Sequence, residues 1–348
     1  MIRVALNVSV LVLSAQLLVG CVANSAQGEM RQSISAKAGA SNPSLPTLYD
    51  VQIQDPLTNK TVSIDQLAQA LKDADVVFIG EYHGSHGSHW LQAQLQAALH
   101  KQRPVQVLSM EQFTRDKQSV LDQYLKGEIG EVALIKQGEA WPNYKASYRP
   151  LVEFSKQHQL PVIAANAPAD VVRCIGREGR DYLAKLNKAE RQQIASQPFL
   201  NSAQYQTAFQ AVMHGPAQPA KSSSKASSAL SNSYLAQLSR DNTMAESILN
   251  AHQRYPKHQI IHVNGAFHSD NHLGTVALLK QRSPSLNIKV VSPVQTPDIE
   301  AKYQGKIPKK LGDYLYFVQP LPEQYANEAE RDAAFKSMFS GAARKACK

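Results

Sequence analysis

Short apolar runs alternate along the chain with stretches whose apolar positions recur at helical spacing. Asp75–Gly80 (DVVFIG), Val105–Met110 (VQVLSM), Leu160–Asn166 (LPVIAAN), Gln259–Gly265 (QIIHVNG), Asn287–Val294 and Tyr314–Val318 are the apolar runs. None alternates strictly with polar residues, so each predicts a strand buried on both faces, as in a parallel sheet covered by helices. Ile64–Leu71, with Ser63 as N-cap, puts Ile64, Leu67, Ala68 and Leu71 on one helical face. Ser85–Lys101 follows the first strand and closes before Pro104, Asp116–Gly138 reads as one or two helices, and Tyr148–Gln157, Tyr234–Ala251 and Leu273–Arg282 each read as one. The succession is βαβ, which predicts one α/β domain over about 47–325.

The pattern breaks in the middle and at both ends. Arg177–Met213 is polar, Gln-rich and mostly helical, and Gly215–Ser233 is a Pro/Ala/Ser-rich segment predicted as a mobile loop. We read about 177–250 as a helical insertion or cap, and 326–348 as a helical tail. At the start, Arg3 precedes a run from Val4 to Leu18 interrupted only by Asn7, Ser9, Ser14 and Gln16. That is the form of a signal peptide (1–20); it is too short and too polar for a spanning helix, which needs ~20 predominantly apolar residues. It ends in Leu18-Val19-Gly20-Cys21, the form of a bacterial lipobox, so Cys21 is expected to carry lipid, palmitate included, and to begin the mature chain. Val22 is not an Asp, which favours an outer-membrane lipoprotein facing the periplasm in a Gram-negative cell. Residues 21–46, rich in Ala, Ser, Gly and Gln, read as a flexible tether.

The net charge of +9 would suggest nucleic acid in a cytosolic protein. Here it is spread along an exported chain without a dense basic run, so nucleic acid is set aside; acidic lipid headgroups or a carboxylate-bearing ligand are the partners it suits, and solubility alone accounts for the excess equally well. If Cys21 holds lipid, Cys174 and Cys347 are left to pair, although a cysteine one residue from the end of a frayed tail argues against it. The three cysteines build no zinc motif.

Two predicted strands end in Gly-x-x-His: Gly80-Glu81-Tyr82-His83 and Gly265-Ala266-Phe267-His268. Two more end in Glu111 and Asn166. In open parallel sheets ligands collect at the carboxyl ends of strands, so these side chains form a candidate site in which imidazoles and carboxylates can exchange protons or hold a divalent metal. Metal candidates are His83 and His268, then His89, and last His86, at the start of the helix after the first strand. Arg240 and Asp241 lie on a helix approaching the fourth strand and either bind an anion or pin the helix. Trp141 to Arg149 combines aromatics with a guanidinium suited to a flat anionic ligand. There is no GxSxG, HExxH, Walker A or dinucleotide fingerprint.

GEYH after a strand, His89, MEQF with Glu111, Trp141 through Tyr148-Arg149-Pro150, VIAAN, SRDNTMA around Arg240 and the final GAFH together resemble the ChaN-type haem-binding lipoproteins. These belong with Tiki and TraB proteins and erythromycin esterases. The resemblance, from about Thr61 to Leu279, implies a three-layer α/β/α domain and a part in haem and iron uptake beside an outer-membrane haem receptor. It also implies a tyrosine ligand to the iron, a basic residue near the propionates, and a homodimer formed at the haem. Tyr148, beside Arg149, is the leading ligand, followed by Tyr82 and Tyr144. No CxxCH is present, so haem attachment is expected to be non-covalent. The same resemblance carries a rival, metal-dependent hydrolysis by Glu81, His83, Glu111 and His268.

Overall fold

The computed structural model describes residues 45–196, 198–214, 224–298, 303, 306–344 and 346–347. The signal segment, nearly all of the tether and residues 215–223 of the expected loop lie outside the described residues.

The sheet begins with a hairpin, β1 (Gln52–Asp55) and β2 (Lys60–Val62), that the hydrophobic pattern does not reveal. The six apolar runs then form β3 (Val76–Glu81), β4 (Gln106–Thr114), β5 (Val162–Asn166), β6 (Gln259–Gly265), β7 (Ile288–Gln295) and β8 (Tyr314–Val318). The order is β2-β1-β8-β7-β3-β6-β4-β5; every pairing among β3 to β8 is parallel, and the hairpin adds antiparallel to β8.

Successive residues of a strand face opposite sides, and both sides are covered. Val77 and Ile79 of β3 join Leu108, Met110, Ile261 and Val263 against one helical layer. That layer comprises α1 (Ile64–Leu71), α2 (His86–Gln102), α3 (Gln118–Leu125), α4 (Glu131–Gln137), α5 (Tyr144–Ser147) and α6 (Arg149–Gln157). Val76 and Phe78 point the other way, into a second core with Val107, Ile260 and Val290. Fully burying side chains of this size contributes roughly 1.5–3 kcal/mol each relative to leaving them exposed. Three-layer α/β/α architecture follows from continuously apolar strands.

Between β5 and β6 run α7 (Ala169–Glu178), α8 (Arg180–Lys185), α9 (Lys188–Gln192), α10 (Ala203–His214) and α11 (Ser224–Arg254). The expected loop through Ser233 is corrected here, because α11 already begins at Ser224. The insertion boundary near 250 also moves: Ala245 and Ile248 of α11 are core residues beneath the sheet, so its second half is the layer helix of the β5-to-β6 crossover. α12 (Gly274–Arg282) completes that layer, and α13 (Glu328–Arg344) lies near the end of the chain. Cys174 on α7 and Cys347 are disulfide-bonded, contrary to the frayed-tail argument. Among the described residues no helix is long and apolar enough to cross a membrane.

Strand order fixes where a ligand can meet the sheet. From β3 the chain passes through α2 toward β4, whereas from β6 it passes through α12 toward β7, in the opposite direction. β3 and β6 are neighbours, so their carboxyl ends form the topological switch point at which open α/β sheets bind ligands.

Candidate functional site

Parallel pairing sets the two Gly-x-x-His motifs side by side, with Gly80 opposite Asn264 and Glu81 opposite Gly265. The glycines make this approach feasible. A Cβ on Gly265 would lie 2.8 Å from His83 Nε2, and one on Gly80 would lie 3.1 Å from Ser269 Oγ and 3.2 Å from the Ala266 Cα. Any side chain at Gly265 would therefore displace the histidine of the other motif.

Glu81 is the hub of one half of the site. Its Oε1 accepts from His83 Nδ1 at 2.7 Å and from the Tyr148 hydroxyl at 2.6 Å; its Oε2 accepts from Gln92 Nε2 at 2.7 Å and lies 3.5 Å from His89 Nδ1. Glu81 is buried, whereas the His83 side chain is 48% exposed and meets the Trp141 ring edge-on at 5.0 Å. His83 is thus where this cluster opens to solvent. Burial works against its charged form, but the hydrogen bond and charge of Glu81 outweigh burial and raise its pKa above the ordinary 6.5. A histidine so placed, with Nε2 directed away from its carboxyl partner, can take and return a proton near neutral pH.

The second half is closed. His268 donates through Nδ1 to Asp241 at 2.7 Å and lies with Nε2 3.3 Å from Glu111. Glu111 also accepts the Gly265 N–H at 2.7 Å, and Asp241 accepts from Thr275 at 2.8 Å and Tyr205 at 2.7 Å. Burial would lower the His268 pKa, but Glu111 and Asp241 reverse this and lift it to about 10. Burial would raise that of Glu111, yet His268, His83 and the Gly265 amide hold it well below the usual carboxylate range. His268 is therefore a fixed cation at neutral pH, suited to stabilising negative charge rather than accepting a proton.

The remaining candidates sort by what they touch. Asn166 braces β4 by donating to the Glu111 carbonyl at 3.0 Å. Arg240 is half-buried and, among the described residues, has no hydrogen-bond or ion-pair partner; burial weakens its charge while Glu111 and Asp241 favour it. His89 is buried, its pKa lowered by burial, and packs edge-on against Tyr148 at 5.0 Å. His86 is exposed and meets Tyr49 instead. Among the described residues no group of three or more His, Cys, Asp or Glu has metal-holding geometry, so His83, His268 and His89 do not converge as the metal reading expects.

The tyrosines need a larger revision. Tyr148 has no exposed surface, and burial together with the Glu81 carboxyl pushes its pKa well up, so in this conformation it holds Glu81 and offers nothing to an iron. Tyr144 is buried beside Phe113, and the Tyr82 hydroxyl donates to the Pro293 carbonyl at 3.2 Å. Arg149 pairs with Glu131 at 2.5 Å rather than with the site.

Compared with known families, residues 67–279 match the model of haem-binding uptake proteins, Tiki superfamily, ChaN. The chain belongs to this family. Among solved structures it is similar to ChaN of Campylobacter jejuni, described with cofacial haem, at 18% identity and a TM-score of 0.55, over 78% of this chain and 98% of that one. It is also similar to an erythromycin esterase, a mutant of EreC in its open conformation, at 13% identity and a TM-score of 0.42, over 71% and 77% of the two chains. At such identities the likeness concerns fold alone. No curated protein matches by sequence.

This member of the ChaN family has site residues that motif reading missed. Gln92 and Gln112 approach Glu81 from α2 and β4, while Tyr205 and Gln237 approach Asp241 and His268 from the helical middle. A signal for Gln92 was present: Ser88, His89, Gln92 and Gln96 are polar yet lie on the buried face of α2. Tyr205 had none, since only the tertiary fold brings α10 to Asp241.

Proposed function

We propose that this ChaN-family chain is a lipid-anchored envelope protein that binds haem non-covalently and takes part in haem and iron uptake. The observation that carries the reading is the family match, which spans every strand-end residue from Glu81 to His268. Non-covalent attachment is supported by the cysteines: Cys174 and Cys347 are joined to each other, and no CxxCH occurs. The disulfide also supports an oxidising compartment outside the cytoplasm, and the lipobox at Cys21 supports a membrane anchor facing the periplasm, within reach of an outer-membrane haem receptor. The test is hemin titration of the full chain in detergent, followed by visible absorption. Saturable uptake with a high-spin ferric spectrum is expected, together with a shift from monomer to dimer on gel filtration. Absence of stoichiometric uptake sinks the proposal.

A second reading, hydrolysis, is favoured by the two Glu–His pairs at the switch point. An open His83 oriented by Glu81 can deprotonate water, while the unpartnered Arg240 can stabilise an oxyanion and His268 holds Glu111 and Asp241 in place beside it. Ester and peptide hydrolysis, with and without chelator, checks it. Activity that persists unchanged in both His83→Ala and His268→Ala would exclude this site.

A further inference from the structure

Leu48, Tyr49 and Trp90 are large apolar side chains left exposed in one place, at the carboxyl edge of the sheet. The chain enters the fold there: Gln319, just beyond β8, donates to the Leu45 carbonyl. Residues 47–50 then make a turn closed by Asp50, whose Oδ2 accepts both the Thr47 N–H and the Thr47 hydroxyl at 2.6 Å. The turn lies against the start of α2, since a Cβ on Gly87 would stand 3.3 Å from the Leu48 and Asp50 carbonyl oxygens. Tyr49, 61% exposed, meets the exposed His86 ring edge-on at 5.0 Å, and Trp90, 42% exposed, follows His86 one helical turn later. Tips of surface turns ordinarily carry Gly, Pro, Asn, Asp or Ser. Leu and Tyr at this one, beside an open Trp, bury nothing for the fold and mark an interaction surface.

Its position and composition select a lipid surface as the partner. Residues 22–47 connect the turn to Cys21, and even fully extended they reach at most about 90 Å, so an anchored chain keeps the turn at high effective concentration beside the bilayer. The patch stands where that connection joins the fold. Tyr and Trp rings combine an apolar body with a polar tip and collect at the headgroup level of membranes, where Leu48 can enter the acyl boundary. A second copy of the chain is a poorer fit, because four side chains fall far short of the roughly 20–30 residues a side that a stable protein interface takes.

We propose that Leu48, Tyr49, His86 and Trp90 seat the domain on the bilayer that holds Cys21, an assignment that rests on the lipid anchor proposed above. Only Gly84 and Ser85 separate His86 from His83, so seating brings the open half of the switch-point site to the lipid surface. A ligand that partitions into the bilayer then reaches His83 without crossing bulk water.

The chain has two tryptophans, Trp90 and Trp141, so Trp141→Phe leaves Trp90 as the single reporter. The full lipidated chain with this substitution is reconstituted into vesicles of phosphatidylethanolamine and phosphatidylglycerol, with or without brominated acyl chains, and its fluorescence is read without hemin. Expected is a blue-shifted Trp90 emission that bromine quenches at least twofold. Adding Leu48→Ser and Tyr49→Ser should abolish both the shift and the quenching while leaving the urea midpoint unchanged, because both side chains are exposed. Water-like Trp90 emission that is equal in the two vesicles, in a chain that floats with them, overturns the seat and leaves the anchor standing. Quenching that survives Leu48→Ser/Tyr49→Ser overturns the assignment to this turn. A dimer formed in detergent without hemin and lost in that variant, with Trp90 unquenched in vesicles, gives the patch to a second copy instead. A wild-type chain that does not float with vesicles removes the anchor, and the seat with it.

Discussion

His268 is the residue on which the closed half of the site depends. Its pKa lies near 10 in the folded chain against an ordinary 6.5, so its contribution to stability is complete below about pH 6.5 and is lost as pH rises through 10. Glu111 has the opposite sign: its pKa is depressed when folded, so its contribution is present above its ordinary 4.5 and disappears as pH falls. The pair stabilises most between those values. The urea midpoint of the wild type should therefore decline from pH 7 to 10, and His268→Gln should flatten that decline. The same variant should be less stable at pH 6 by about 3–5 kcal/mol, because Glu111 and Asp241 lose their buried countercharge. Tyr148 makes a contrasting case. Tyr148→Phe should cost about 1–3 kcal/mol through the lost hydrogen bond to a carboxyl, as read from urea unfolding, and should leave any tyrosinate haem spectrum intact. Pairing Tyr148 with Arg149 by sequence adjacency failed for a physical reason: Tyr148 is the junction residue between α5 and α6, and side chains of adjacent residues at such a turn diverge, so one reaches Glu81 and its neighbour Glu131.

At the level of elements, the parallel sheet was legible because strands buried on both faces need apolar residues at every position, and the two glycine-ended runs marked the switch point. The gathering of Glu81, His83, Glu111 and His268 at the carboxyl edge of the sheet was legible too, because each stands at or just beyond the end of an apolar run. The hairpin was not, since four- and three-residue strands are too short to show a period. Nor was the end of β4: its register shifts between Met110 and Thr114, carrying the strand beyond Glu111. Edge protection was equally invisible, because Gln118 caps β5 across 44 and 46 residues of sequence. Gln118→Ala should leave the Val162 carbonyl and Ala164 N–H without these partners. A loss of about 1–3 kcal/mol in urea unfolding is expected, with faster aggregation in partly denaturing urea as β5 becomes available for pairing.

For the whole molecule, the cysteines connect fold, compartment and anchor in one measurable quantity. The chain has three, of which Cys174 and Cys347 form the disulfide, leaving Cys21 alone. A bond closing a loop this long constrains the unfolded chain strongly, and it persists only where thiols are not kept reduced. Export followed by lipidation of Cys21 therefore predicts no titratable thiol in the chain purified from envelope fractions and denatured without reductant. Export without lipidation predicts one, and retention in a reducing cytoplasm predicts three. Cys174→Ser should expose Cys347 as a single thiol and lower stability by about 2–4 kcal/mol. A wild-type chain with one reactive thiol, carried on Cys21 and unlabelled by radioactive palmitate, would remove the lipid anchor from the proposed function while leaving haem binding and the switch-point site untouched.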